Sequence, residues 1–447
     1  MKHTTLLITC LGLAGLATTS NGCKSRSRSY YASTTSATTT TDSTASTSSQ
    51  GSTAPSGSSG TTQPPPTPPP PPGLAGSGSF IDASARLPDS LQNDWTVAAG
   101  DVDGDGRRDL VIGAYDGLTR LLLNKATGFV ESTGAIPNLV MKSADLHLVD
   151  MDGDADLDLV VASNFEPVRV FLNDGAGRFT LKAAMPATNP CFTYKLGVGD
   201  VNGDARPDLL MANAGQNTAT QGLNVLLLND GAGGLIVAPA AQLPAQREDT
   251  NGVVLFDVDG DNDLDAFLAN FGVQDRLWVN DGKGTFVDQT DARLPVDTRA
   301  GTAVVAADFT NDGKPDLFVC NQGLPQGQNP PPGELNTLLI NDGTGRFVEG
   351  AARLPADVDS SFNAKVADFD GDGWNDLVVS NLRGQQRLYL NRQGVFVDMT
   401  QNLPAVAQVA AGDSLGLAVA DMDGNQTPDA VWVRRGLKPW LFLNLPK

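Results

Sequence analysis

Little in this sequence marks an enzyme or a nucleic-acid-binding protein. Its 447 residues include two histidines, four cysteines and 6% aromatic residues, and the formal net charge is −20. No basic patch interleaved with aromatic residues is present, so we expect no nucleic-acid partner. The sequence also lacks H-E-x-x-H and a glycine-rich phosphate-binding loop. We therefore assign no catalytic residue from the sequence.

A short apolar run near the N-terminus predicts secretion. Leu6–Ala17 is 12 residues long, whereas a membrane-spanning helix needs about 20, so we predict a signal peptide at residues 1–22. Gly22–Cys23 resembles the end of a bacterial lipoprotein signal, which makes Cys23 the candidate lipidation site. Secretion without a lipid is the alternative. We expect a protein of the bacterial cell envelope, an outer-membrane lipoprotein or a secreted protein, that meets a membrane only through an N-terminal lipid anchor.

Residues 23–79 have the composition of a linker. Their Ser/Thr-rich part cannot bury enough apolar surface to fold, so we expect it to stay disordered. The run Gln63–Gly73, "QPPPTPPPPPG", is expected to stiffen the linker into extended polyproline II. The segment is interpreted as a stalk for a folded domain at residues 80–447, and a plain spacer is equally compatible.

The rest of the sequence is a repeat. Each unit opens with aspartates at fixed spacing, as in Asp101, Asp103, Asp105 and Asp109, and an apolar run such as "DLVIGA" follows at once. A second apolar run ending in asparagine comes next, then in six units a glycine-bearing turn and a short segment such as "FVDQT". Seven units begin 49 to 60 residues apart, at Asp101, Asp150, Asp200, Asp257, Asp308, Asp368 and Asp421.

Each unit predicts four short strands bounded by turns, without helical periodicity. A four-stranded unit of about 50 residues is typical of a β-propeller blade, so we predict an all-β, seven-bladed propeller. Residues 80–88 match a fourth strand but precede the first unit, while the last unit stops after its third strand. We expect residues 80–84 to pair with residues 440–444 and close the ring, which removes the exposed edges of an open solenoid.

The aspartate loops have the chemistry of a calcium site. Calcium binds about six to eight oxygens, and side chains at loop positions 1, 3, 5 and 9 with a carbonyl at position 7 can surround one ion. An EF-hand has glutamate at position 12, but here Ile112 stands there, inside a predicted strand. We therefore predict a calcium hairpin between two strands. Turn formation alone is the alternative, because Asp-Gly pairs also favour tight turns.

The stretch "VAAGDVDGDGRRDLVIGA" resembles the FG-GAP/VCBS repeat, the blade unit of integrin alpha-subunit propellers and of many bacterial surface proteins. The resemblance spans residues 80–447 and implies structural Ca²⁺ in the loop between strands one and two of each blade, up to seven ions. The fifth loop departs from the pattern at Thr310, and the seventh has Gln426 where glycine is preferred. Carried over by position, the ligands are Asp101, Asp103, Asp105 and Asp109; Asp150, Asp152, Asp154 and Asp158; Asp200, Asn202, Asp204 and Asp208; Asp257, Asp259, Asp261 and Asp265; Asp308, Asp312 and Asp316; Asp368, Asp370, Asp372 and Asp376; and Asp421, Asp423, Asn425 and Asp429.

The acidity of the protein is local to these loops. Of the 51 acidic residues, 27 are loop aspartates, which leaves 24 acids against 31 bases elsewhere. Such clusters repel unless a cation neutralises them. This pattern favours metal binding over turn formation for the complete loops.

Single residues with catalytic potential are few. His147 is the one histidine after the predicted signal, and we interpret it as a packed or channel-facing residue of a first strand. Cys191 and Cys320 remain in the predicted mature chain. Cys320 aligns with alanines of other units, which favours a buried free thiol, although pairing with Cys191 stays open.

The function predicted from these features is binding. Loops one-to-two and three-to-four share one face and are uniform, whereas the opposite face carries loops of very different length, where recognition usually lies. We predict a monomeric, non-enzymatic, integrin-like cell-surface propeller for adhesion to an unknown protein or glycan. The alternative is an extracellular carbohydrate-active enzyme of the polysaccharide lyase or hydrolase kind. A second catalytic-looking cluster in the central depression would favour that enzyme.

Overall fold

A computed structural model describes residues 76–89, 92–184, 192–215, 222–324, 333–382, 384–409 and 413–447. The predicted signal peptide, Cys23, Cys191 and nearly all of the predicted linker lie outside these ranges.

The fold is built from short β-strands. In chain order they are β1 (Gly76–Asp82), β2 (Asp94–Gly100), β3 (Asp109–Leu118), β4 (Arg120–Lys125), β5 (Gly128–Glu131), β6 (Val140–Val149), β7 (Asp158–Ser163), β8 (Arg169–Asn173), β9 (Phe179–Ala184), β10 (Phe192–Gly199), β11 (Asp208–Ala214), β12 (Val225–Asn229), β13 (Leu235–Val237), β14 (Thr250–Phe256) and β15 (Asp265–Asn270). The second half contains β16 (Arg276–Asn280), β17 (Phe286–Asp288), β18 (Gly301–Ala307), β19 (Asp316–Asn321), β20 (Glu334–Leu335), β21 (Thr337–Asn341), β22 (Phe347–Glu349), β23 (Val358–Asp359), β24 (Ser361–Ala367), β25 (Asp376–Asn381), β26 (Arg387–Asn391), β27 (Phe396–Asp398), β28 (Ser414–Ala420), β29 (Asp429–Arg434) and β30 (Leu437–Pro446).

Helix is scarce in the described ranges. It is limited to α1 (Thr290–Arg293) and to 3-10 turns at Ser84–Arg86, Ala240–Gln242, Ala351–Arg353, Thr400–Asn402 and Ala405–Ala407. None of these is long and apolar enough to cross a membrane.

The strands of the described residues form seven antiparallel four-stranded units, named here blades 1 to 7. Blades 1 to 4 use consecutive strands: β2–β5, β6–β9, β10–β13 and β14–β17. Blade 5 is β18, β19, β21 and β22, and blade 6 is β24–β27. Blade 7 is β28, β29, β30 and β1. The predicted all-β fold of repeated four-stranded sheets is confirmed.

The last blade takes its outer strand from the other end of the chain. β1 pairs antiparallel with β30, with Phe80 opposite Asn444 and Asp82 opposite Phe442. The strand begins four residues before the predicted start of the domain at residue 80, since Gly76 already pairs with Pro446. The added residues also contact blade 6, because the Gly78 N–H donates to the carbonyl of Phe369 in the sixth aspartate loop at 3.0 Å.

The apolar core lies between the blades. Seven buried clusters each join two neighbouring blades, and one of them joins blades 7 and 1. The second strand of a blade is covered on both faces, and β7, β15, β19 and β25 are buried along their whole length. This two-sided burial explains why the second strands read as continuous apolar runs such as "DLVVAS" rather than as alternating patterns.

The first strands line the centre of the molecule. They lie side by side in the order β2, β6, β10, β14, β18, β24 and β28, and β28 contacts β2 again. Each pairs with its second strand through a register shift six residues before the first loop aspartate. A bulge of this kind re-aims a side chain. At that position Trp95, Phe362 and Leu415 meet in one buried cluster, with Tyr194 packed against it.

Two strand pairings have no counterpart in the sequence repeat. The end of β3 pairs with the start of β6, with Gly117 opposite Met141, and so joins blades 1 and 2 by backbone hydrogen bonds. β20 pairs with β23 in a small separate ribbon beside blade 5.

Candidate metal centres in the blade loops

Every blade places eight residues between its first and second strands, at 101–108, 150–157, 200–207, 257–264, 308–315, 368–375 and 421–428. Counting from the first aspartate, position 9 is then the first residue of the second strand. The backbone is left-handed at positions 4 and 6 of all seven loops, including Ala155, Ala205 and Gln426 at position 6. The non-glycine residue in the seventh loop therefore does not alter the loop fold.

The position-9 aspartate is the structural centre of each loop. In blade 1, one oxygen of Asp109 accepts the Val102 N–H at 3.1 Å and the other accepts the Asn124 N–H at 2.8 Å. The same two bonds, at 2.7 to 3.3 Å, recur in the other six blades. All seven carboxylates are fully buried: Asp109, Asp158, Asp208, Asp265, Asp316, Asp376 and Asp429.

Burial makes these carboxylates unfavourable as anions. It raises the pKa of Asp109, Asp158, Asp208 and Asp316 to about 6, of Asp265 and Asp429 to about 7, and of Asp376 to about 8. The neighbouring loop carboxylates raise each pKa further. A nearby cation would oppose both effects, because it favours the charged form.

Carboxylates at positions 1, 3 and 9 converge in five loops. One oxygen from each lies within 4.8 Å of the others in Asp101, Asp103 and Asp109; Asp150, Asp152 and Asp158; Asp257, Asp259 and Asp265; Asp368, Asp370 and Asp376; and Asp421, Asp423 and Asp429. In the third and fifth loops, position 3 is Asn202 or Thr310 and supplies no carboxylate.

The position-3 side chains test whether these groups suit a metal. One oxygen each of Asp103, Asp152 and Asp370 is buried without a hydrogen-bond partner. An unpaired buried carboxylate oxygen is costly, and a bound cation would satisfy it. Hard divalent cations prefer such oxygen ligands. The residues of the first, second and sixth loops therefore fit a metal of this class.

The position-5 side chains are placed differently from the predicted ligand set. None joins the convergent groups of the described loops. Each accepts the N–H two residues later, as Asp105 does from Arg107 at 3.1 Å. The others that do so are Asp154, Asp204, Asp261, Asp312, Asp372 and Asn425. Their role as metal ligands stays a prediction.

A residue that sequence reasoning missed connects the loops of neighbouring blades. The asparagine at or near the end of each third strand donates from its side-chain amide to the position-2 carbonyl of the preceding blade. The pairs are Asn124 with Met422, Asn173 with Val102, Asn229 with Met151, Asn280 with Val201, Asn341 with Val258, Asn391 with Phe309 and Asn444 with Phe369, at 2.7 to 3.0 Å. The signal was the invariable asparagine after the second apolar run of each unit.

One serine pattern resembles a catalytic motif. Residues 412–416 read G-D-S-L-G and fit the G-x-S-x-G pattern of hydrolase nucleophiles. That pattern marks a nucleophile where a strand turns sharply into a helix. Ser414 instead begins β28, is fully buried and pairs with Arg434 of β29. We assign it no catalytic role.

The histidine and the cysteine singled out from the sequence are both buried. Nε2 of His147 lies 3.0 Å from Oδ2 of Asp145, and its side chain is packed inside, as expected. Cys320 is a buried free thiol, and burial raises its pKa well above the usual range. A thiol in that state is unreactive.

Comparison with known proteins agrees with the geometry. The model of the FG-GAP-like repeat matches residues 101–161, 150–211, 200–268, 257–319, 327–379 and 368–432. Over 203 residues the chain is 27% identical to cartilage acidic protein 1 of Xenopus tropicalis. The aligned region covers 42% of this chain and 28% of that protein.

Solved structures share the fold at low identity. BBS1N, crystallised in complex with ARL6DN, superposes with a TM-score of 0.51 at 13% identity, over 83% of this chain and 97% of that chain. The Pan2 WD40 domain of Neurospora crassa gives 0.52 at 9% identity, over 84% of this chain and all of that one. Since the repeat matches cover residues 101–319 and 327–432, most of the sequence, the chain belongs to the FG-GAP-like repeat family of β-propeller proteins.

Proposed function

We propose that this protein is a calcium-binding, non-enzymatic propeller of the cell surface that binds a protein or glycan through the face opposite its aspartate loops. The observation that carries the proposal is the contrast between the two faces. The loops between first and second strands have eight residues in every blade, whereas those between second and third strands range from one residue in blade 1 to fifteen in blade 5. Uniform loops suit a shared structural task, and variable loops on a rigid scaffold suit recognition.

We assign the contact region to an aromatic patch on the variable face. It consists of Tyr115, Phe165, Phe192 and Tyr194, all half-buried. The ring centroids of Phe165 and Phe192 are 3.9 Å apart, and Phe192 stacks on Tyr194 at 5.9 Å. Tyr115 packs against Trp95 at 4.8 Å. Rigid aromatic side chains contribute large contact area at low entropic cost, so they often anchor interfaces. The crystallised complex of BBS1N with ARL6DN is a precedent for a protein ligand.

The metal in this proposal is Ca²⁺ and its role is structural. Each convergent group belongs to a single loop, and the loop is tied to the next blade through the position-2 carbonyl. An ion there would stabilise the ring without taking part in chemistry. Attachment through Cys23 would hold the propeller at the envelope surface.

A polysaccharide-cleaving enzyme is less well supported. The centre of the ring does contain His147, Asp145 and two lysines, but all four are at most 7% exposed. A polymer needs an open cleft, and these groups lie beneath the Trp95 cluster. The centre of the ring therefore contains side chains of catalytic type, but a polysaccharide could not reach them.

Binding arrays with the full chain test the proposal. We expect specific binding to members of a glycan array or of a panel of extracellular proteins in the presence of calcium. Tyr115→Ala and Phe192→Ala are expected to weaken that binding about tenfold or more, because buried aromatic anchors typically contribute 2 kcal/mol or more, roughly, to an interface. Asp230→Ala, an exposed change in a three-to-four turn on the opposite face, is the matched control. Binding that survives both aromatic changes but is lost in the control would contradict the assignment of the face.

A further inference from the structure

The sixth and first loops each have a basic side chain on their position-3 carboxylate. Nη1 of Arg392 lies 2.5 Å from Oδ2 of Asp370 at position 3 and 2.6 Å from Oδ2 of Asp372 at position 5. Lys125 bridges the same two positions of the first loop, at 2.6 and 2.8 Å. Both bases directly follow the asparagine that binds the preceding blade. At that place blades 2 to 5 have an aspartate: Asp174, Asp230, Asp281 and Asp342.

A base reaches the fourth loop from a different element. Arg293 is the last residue of α1, which follows the fourth strand of blade 4. Its Nη2 lies 2.9 Å from Oδ2 of Asp259, the position-3 residue of the fourth loop. Nε of the same guanidinium donates to Oε1 of Gln289 at 2.7 Å, which fixes the direction of the side chain. We name the first, fourth and sixth loops the bridged loops.

The second and seventh loops have converging carboxylates without such a base, and we name them the open loops. In the described part of the chain, no lysine or arginine forms an ion pair with these carboxylates. They belong to Asp150, Asp152, Asp158, Asp421, Asp423 and Asp429. One oxygen of Asp152 is buried without a hydrogen-bond partner. Burial and the carboxylates of Asp154 and Asp150 raise the pKa of Asp152, so its charged neighbours add repulsion.

A bridging base and a metal ion compete for the same carboxylate. The base already relieves part of the repulsion among the loop acids, so a cation that enters a bridged loop gains less than one that enters an open loop. The two positive charges also repel each other at this short range. The second oxygens of Asp103 and Asp370 stay buried without hydrogen-bond partners, so the first and sixth loops can still accept an ion. Their affinity for it is expected to be lower.

We propose that Lys125, Arg293 and Arg392 are internal counter-cations that rank the loops, so that calcium fills the open loops first and the bridged loops only at higher concentration. The inference rests on the calcium binding of the proposed function and adds the order of the sites. Without calcium, the bridged loops keep an ion pair that holds their acids together, whereas the open loops do not. The dependence of stability on calcium is therefore concentrated in blades 2 and 7.

The sixth loop contains its own reporter for this order. Trp374 stands at position 7, whose carbonyl is a predicted ligand, and its side chain is half-buried. In a calcium titration of the full chain, the fluorescence of Trp374 follows the sixth loop, while calorimetry measures all bound calcium. Trp374→Phe defines the part of the signal that comes from this residue. We expect the Trp374 midpoint at a free calcium concentration about threefold to tenfold above that of the first calorimetric phase.

Three variants assign the two phases, and melting curves in chelator verify that each is folded. Arg392→Met removes the base and leaves every acid, so it is expected to lower the Trp374 midpoint about threefold to tenfold. Arg346→Met, which changes the exposed arginine in the corresponding turn of blade 5, is the matched control and should leave the midpoint unchanged.

Asp152→Asn should diminish the first calorimetric phase and leave the Trp374 midpoint in place. A Trp374 response within the first phase of the wild-type protein, or an unchanged midpoint in Arg392→Met, would overturn the ranking while calcium binding itself stands. The absence of any calcium binding would overturn the ranking together with the calcium role in the proposed function.

Discussion

The first and fifth aspartate loops fold alike although they carry different acids. In the first loop, Asp101 accepts the N–H groups of positions 5 and 6 at 3.1 and 2.8 Å. In the fifth, Asp308 accepts the equivalent groups at 3.2 and 2.7 Å. The position-9 carboxylates also make the same pair of backbone bonds. The loops differ at position 3, which is Asp103 in one and Thr310 in the other.

This comparison separates two tasks that the sequence pattern combines. Positions 1 and 9 hold the loop and the start of the second strand by accepting backbone N–H groups, with or without a third acid. Position 3 contributes little to that network, and in the first loop one of its oxygens is buried without a hydrogen-bond partner. We infer that the fold depends on positions 1 and 9, and that metal affinity depends mainly on position 3.

The largest expected effect comes from position 9. Asp109→Ala and Asp316→Ala each leave two buried N–H groups without an acceptor, and each such group costs about 1–3 kcal/mol. We expect both variants to lose about 2–6 kcal/mol of unfolding free energy, and to do so about equally. Chemical denaturation in chelator measures this without metal. A mild effect of Asp316→Ala beside a severe effect of Asp109→Ala would show that position 9 acts through the metal instead.

The next effect concerns the bonds between blades. Asn124→Ala removes the bond from blade 1 to blade 7, and Asn341→Ala removes the equivalent bond from blade 5 to blade 4. Each change is expected to cost about 1–3 kcal/mol, because the position-2 carbonyl of the preceding blade loses its hydrogen-bond donor. Melting curves with and without calcium should show the same loss. If Asn124→Ala were neutral while Asn341→Ala destabilised the protein, blades 1 and 7 would not be in contact and the ring would be open.

Calcium itself is expected to act through position 3. Asp103→Asn should reduce the calcium-dependent rise in melting temperature, because the site loses one of its three convergent carboxylates. It should change stability in chelator by less than about 1 kcal/mol, because the Asp103 ion pair with Lys125 is partly exposed. Thr310→Asp should give the fifth loop a complete set and add calorimetrically detectable calcium binding. Identical melting curves with calcium and with chelator for the wild-type protein would leave these aspartates as turn formers.

The smallest expected effect is that of Lys125. Its Nζ lies 2.6 Å from Asp103 and 2.8 Å from Asp105 in the first loop, where it partly neutralises the acids. Such half-exposed ion pairs contribute about 0–1 kcal/mol. Lys125→Met is expected to lower stability slightly in chelator and to raise the calcium affinity of the first loop, because a competing cation is removed. Titration of calcium against both proteins measures the change, and weaker calcium binding by the variant would contradict it.

Much of the fold could be predicted because every blade repeats the same local code. Strands and loops are predicted from turn residues, apolar runs and the spacing of aspartates. These are local properties of the sequence, so each strand or loop can be predicted without knowledge of the strands that pack against it. The bonds of Asn124 and its equivalents could not be predicted in the same way. Their partners lie 71 to 83 residues away in six blades, and the Asn124 bond spans 298 residues.

The sequence by itself determined the all-β class, the repeat, the position of the aspartate loops and the mismatch between its ends, since these follow from periodicity and from residue chemistry along the chain. Only the tertiary structure decided which carboxylates converge, because Asp103 and Asp105 are equally acidic and their different roles depend on where the folded loop points each side chain. The buried charges at the centre of the ring, Asp145, Lys195 and Lys365, have the same origin. Asp145, Lys195 and Lys365 lie in separate units, each unremarkable in its own strand, and only closure of the ring brings their charges into one buried space.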